Sequence, residues 1–202
     1  MKIISFIVLF IVISGSSQNV LGIERDKLIE IKPFNANNIK VALTKYNSQE
    51  ILNYIFSNSN RSKQLIHGIR SGKDAWLLLF VEMYKVSDAG WSEILDSSIG
   101  YSLVSNPRGS LKTMREVDNI LSKLRDKYNL HSYAQQVCDN VDEMWDENEV
   151  SNVELAGSAL IEINKRIKAL TDVNNESLER VKSKCLEALY NSKKFWEDYS
   201  RK

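Results

Sequence analysis

The residues best suited to contact a partner fall in one stretch, 139–149, which reads DNVDEMWDENE. Six acidic side chains there surround Met144 and Trp145. Asp142 and Glu143 precede the pair, and Asp146 and Glu147 follow it. Carboxylates at this density draw a basic protein surface, and one indole can supply the buried contact on which binding energy concentrates. The same composition also suits a solvated connection between helices, which is the commoner use of a charge run.

A second candidate chemistry is glycan hydrolysis, which runs on two carboxylates when one sits in an apolar pocket that raises its pKa. Glu82 interrupts the most apolar stretch of the chain, and Asp88 follows shortly after. Both also have ordinary uses, Glu82 on the solvent face of a helix and Asp88 as a helix cap. His67 and His131 are the only histidines. They are far apart in sequence, and a zinc site needs three or four ligands, so no metal is expected. There is no G-x-S-x-G elbow, phosphate loop or dinucleotide fingerprint, and the EF-hand spacing is absent. No cofactor is expected, and the chain reads as a non-enzyme.

The compartment is written in residues 1–22. Lys2 is a positive start. Residues 3–13 are apolar except for Ser5, and Ser14 to Ser17 and Gly22 supply small residues. This is the layout of a secretory signal peptide, and the run is too short to span a bilayer. Cleavage after Gly22 leaves about 180 residues, expected to form one domain over 23–202. Lys2 is the only charge in 1–22, so removing them takes the formal charge from +1 to zero. That balance argues against nucleic acid or an anionic membrane as partner. An exported chain with two cysteines, Cys138 and Cys185, reads as one with a single disulfide. Closing a loop of about 47 residues is worth roughly 4 kcal/mol.

The elements that must carry these residues are helices. Only two prolines occur, Pro33 and Pro107. Residues 39–46 suit a short helix or an extended segment equally. Beyond Ser48, read as a cap, Ile51, Leu52, Ile55 and Phe56 lie on one face of a 3.6-residue period. A second helix carries Leu65, Ile66 and Ile69 and stops at Ser71-Gly72. The third, about 73–85, is apolar nearly all round and should be the centre of the core, with Trp76 inside. A fourth, about 88–104, carries Ile94, Leu95, Ile99 and Leu103. After Asn106-Pro107 the spacing continues through Leu111, Met114, Val117, Leu121, Leu124 and Tyr128. A short helix, about 131–138, ends at Cys138. Ser151 and Glu154 form a capping-box pattern before a helix bearing Ala156, Leu160, Ile163, Ile167 and Leu170. The last helix carries Leu178, Val181, Cys185, Leu189, Trp196 and Tyr199. The expectation is an all-α array of seven or eight helices in antiparallel pairs with one disulfide.

Several of these segments resemble a family of small secreted or periplasmic proteins of Gram-negative bacteria, mostly of unknown function. The match lies in residues 71–77, SGKDAWL, in Asp88-Ala89-Gly90, in residues 92–95, SEIL, in Asn106-Pro107, and in Cys138 and Cys185-Leu186. It covers about 65–190, and it departs after Pro107, where Arg108-Gly109-Ser110-Leu111 replaces an apolar pair. The resemblance implies an exported helical protein with a disulfide and assigns no catalytic residue. The expected function is binding, one version being a periplasmic immunity or inhibitor protein. The alternative is a cell-wall hydrolase or its accessory.

Overall fold

A computed structural model describes residues 29–87, 89–122, 126–127, 131–141 and 152–201. The described residues form nine α-helices and no strand. Four come from the first half: α1 (Ala36–Lys45), α2 (Ser48–Phe56), α3 (Ser59–Arg70) and α4 (Asp74–Tyr84). Three follow: α5 (Ala89–Ser105), α6 (Pro107–Ile120) and the short α7 (Tyr133–Val137). The long helices α8 (Asn152–Thr171) and α9 (Glu179–Tyr199) close the chain, joined through a 3-10 turn at Glu176–Leu178.

Asparagine caps four of the helices. The Asn35, Asn47, Asn58 and Asn106 side chains accept the amides of Asn38, Gln49, Arg61 and Gly109, which the first turn leaves without partners. The cap of α2 is therefore Asn47, and Ser48, expected there, is the first helical residue. The ambiguous stretch near 39–46 is settled as helix. Ala36, Ile39 and Ala42 bury one face at three-residue steps, while Val41 stays exposed. Ser132 and Gln135 make a reciprocal capping box at α7. The caps expected at Asp88 and Ser151, and the apolar positions Leu124 and Tyr128, lie outside the described residues.

The turn after α3 explains why residues 71–74 and Asn106-Pro107 belong together. Gly72 sits at φ +67°, the left-handed region, and a Cβ there would lie 2.8 Å from that of Asn106. The Asn106 Nδ2 donates to Gly72 O at 2.8 Å and to Asp74 Oδ1 at 3.1 Å, while its Oδ1 caps α6. One asparagine thus ties the α3–α4 turn to the start of α6.

The core runs through the whole helical array. α4 touches α1, α3, α5 and α6 and buries Leu77, Leu79, Phe80, Val81 and Met83. It is not buried on every side. Leu78 is 56% exposed, and Trp76, expected inside, is half-buried. The α8–α9 pair is the most extensive helix contact, and α9 also packs on α7. Cys138, at the end of α7, is bonded to Cys185 of α9 with Cα atoms 5.3 Å apart, as expected of the buried stripe. Both cysteines are fully buried.

Candidate binding surface at the disulfide-clamped turn

Residues 138–141 leave α7 and are fixed from three directions. The disulfide holds Cys138 to α9. Arg166 of α8 donates from Nη1 to Cys138 O at 2.9 Å and to Asn140 O at 3.0 Å. Tyr101 of α5 donates from its hydroxyl to Val141 O at 3.2 Å. A guanidinium suits this position, because carbonyls past a helix C-terminus are left without amide partners and carry the negative end of its dipole.

Arg166 itself is fully buried. Its Nε meets Glu162 Oε1 at 3.1 Å, with Glu162 18% exposed, and the guanidinium lies 4.3 Å from the centre of the Tyr101 ring. The guanidinium of Arg70 lies 4.5 Å from the same ring. Burial pushes the Arg166 pKa down, and Glu162, Tyr101 and Asp139 oppose that shift. An arginine stays charged under such a push, so the pair is a structural clamp.

Two tyrosines nearby, Tyr133 buried and Tyr84 half-buried, are held in the neutral form. Tyr133 donates to Asp96 Oδ1 at 2.5 Å, and its amide donates to Asp118 Oδ1 at 2.8 Å. Burial first, then the Asp96 carboxylate, pushes the phenols of Tyr84 and Tyr133 up. Both stay neutral at ordinary pH and serve to pack α4, α5 and α7.

Beside the clamped turn is an open groove of about 520 Å³ lined by Gln136, Asp139, Asn140, Asn191, Ser192, Phe195 and Trp196. Phe195, Trp196 and Tyr199 form one aromatic cluster, with ring centres 5.2–6.0 Å apart. Phe195 is 59% exposed and Tyr190 55%, while Trp196 is buried and packs edge-on against Phe195.

The expected docking residues Asp142, Glu143, Trp145, Asp146 and Glu147 lie outside the described residues. Their chain neighbours Asp139 and Asn140 line the aromatic groove. The alternative catalytic pair is not assembled by what is described. Glu82 is on a half-exposed face of α4, held by Lys85 at 3.0 Å, and Asp88 lies outside the described residues. His67 and His131 are both exposed, on α3 and just before α7. Among the described residues no three His, Cys, Asp or Glu groups converge as metal ligands. No helix among them is long and apolar enough to cross a membrane.

Sequence reasoning missed Arg166 and the aromatic surface. Arg166 falls three residues after Ile163 and four before Leu170, on the stripe that Ile167 was expected to share. That spacing was the available signal. For Phe195 the signal was its place one residue before a stripe position, which turns it outward. Compared with protein-family models, with curated proteins and with solved structures, the chain matches none of them.

Proposed function

We propose that this chain is an exported binding protein that caps another protein through the surface at the end of α9 and the adjoining acidic strip, as an immunity or inhibitor protein would. The observation that carries the reading is the exposed aromatic cluster beside the clamped turn. Rings held rigid by a buried neighbour and left open to water are what interface anchors are made of. The strip opens in sequence with Asp139 and Asn140, which line the groove. A basic partner would be steered by the acids and held by the rings. The signal-peptide layout, the disulfide and the resemblance to secreted bacterial helical proteins support export.

The test is capture from periplasmic extract by the mature protein, compared with Phe195→Ala and Trp145→Ala. The reading expects one partner retained by the wild type and lost by both variants, with melting temperatures within a few degrees of one another. Hydrolysis of peptidoglycan by the purified protein, abolished in Glu82→Gln, would replace binding with catalysis.

A further inference from the structure

A second cleft lies between α3 and the start of α4. It holds about 500 Å³ and is lined by Phe34, Lys63, Gln64, His67, Gly68, Ser71, Lys73 and Trp76. That volume is in the range of small-ligand sites.

Its charge is one-sided. Lys63 and His67 stand four residues apart on α3, hence on one face, and Lys73 precedes α4. Among the described residues no carboxylate lines the cleft. Lys63, His67 and Lys73 have no ion-pair partner among the described residues. The nearest acid in sequence, Asp74, lines a different groove and is held by Asn106. α4 also starts without a capping side chain, so its first amides add to the positive field.

Its floor is aromatic and built in. The indole of Trp76 lies flat on Gly68, where a Cβ would come within 2.4 Å of two ring carbons. Any larger residue at 68 would lift the ring. Phe34, from the segment before α1, is half-buried and lines the same cleft. Gln64 also lines the cleft, whereas the Ser71 hydroxyl is engaged in the turn, donating to Gly68 O and accepting from the Lys73 amide. A net-positive wall above a flat apolar floor matches a ligand that is a flat ring at one end and an anion at the other.

We propose that this cleft binds a small aromatic anion, a ring carrying a carboxylate or a phosphate, with the ring on Trp76 and Phe34 and the anion by Lys63 and Lys73. The two anions are separate arms of one experiment. The mature protein, labelled for observation of its indole Nε1–H signals, is titrated with phenylacetate and with phenyl phosphate. Inorganic phosphate and benzyl alcohol serve as the anion alone and the ring alone. Trp76 is assigned with Trp76→Phe. Saturable movement of the Trp76 signal by either aromatic anion is expected, weaker in high salt and at least tenfold tighter than with inorganic phosphate or benzyl alcohol. Lys63→Gln/Lys73→Gln changes only exposed residues and should fold as the wild type; it should weaken binding at least tenfold. Four results would overturn the proposal: no saturable shift at millimolar ligand, movement of another indole without Trp76, unchanged affinity in the double variant, or inorganic phosphate binding as tightly as phenyl phosphate.

Discussion

Replacing Arg166 with Met tests whether the buried guanidinium holds the turn after α7. Methionine keeps much of the stem, so the cavity left is small and the loss is mainly polar. Three groups lose a donor: Cys138 O, Asn140 O and the Glu162 carboxylate. Breaking a buried ion pair by removing one partner costs about 3–5 kcal/mol. Glu162 is 18% exposed, so water relieves part of its penalty, and a loss of about 4 kcal/mol is expected. Arg166→Met/Glu162→Leu removes the stranded charge but not the stranded carbonyl of the buried Cys138. The double variant should therefore recover about 1–2 kcal/mol and stay about 2 kcal/mol below wild type, since an unsatisfied buried acceptor costs about 1–3 kcal/mol. Urea unfolding followed by circular dichroism, with the disulfide intact, measures all three proteins. A single variant within about 1 kcal/mol of wild type would show that the turn needs no guanidinium.

Stability should also fall in alkali. The phenols of Tyr84 and Tyr133 are raised above 10.0 in the folded state, so their contribution is complete below pH 10 and is lost as pH rises beyond it. Phenolate absorbance should show both still protonated until the chain unfolds; ionisation of every tyrosine near pH 10 with the fold intact would contradict this. The sulfurs of Cys138 and Cys185 are out of reach of solvent, so dithiothreitol should leave the bond intact until denaturant is added, as thiol labelling would show. Cys138→Ala/Cys185→Ala should cost about 3–4 kcal/mol for the 47-residue separation, read from denaturation midpoints; a change near zero would mean the bond constrains nothing. Gly72→Ala should cost about 1–2 kcal/mol from φ alone, and more because its Cβ meets Asn106, lowering the melting temperature by several degrees. An unchanged melting temperature would show that the turn can take another conformation.

The helices beyond residue 48 were legible because their apolar residues keep the 3.6-residue period, and the disulfide because two cysteines follow a stretch with the layout of a signal peptide. The caps were less so. Asn47 and Ser48 are both good caps, and only geometry decides between neighbours. Residues 36–45 mix asparagine, threonine and β-branched residues, so local preference did not separate helix from strand; burial of Ile39 and Ala42 does. Trp76 was read as core because apolarity around α4 is nearly uniform and says nothing of which side lacks a neighbour. Arg166 was hidden for the opposite reason, since a charge on a buried stripe is legible only once its carbonyl and carboxylate partners are in place. The groove at Phe195 joins α7 to α9 across more than fifty residues of sequence, and no local pattern encodes that meeting.

The bond between Cys138 and Cys185 makes the chain a closed ring over the acidic strip and the whole of α8. A protease that cuts once inside that ring, in the strip where hydrophilic residues are densest, produces two polypeptides but not two molecules. Both pieces remain on one covalent body, and the α7–α9 and α5–α8 contacts still join them. The cut would be invisible on a gel run without reductant and plain on one run with it. A chain closed this way can be cut once inside the ring and still not come apart.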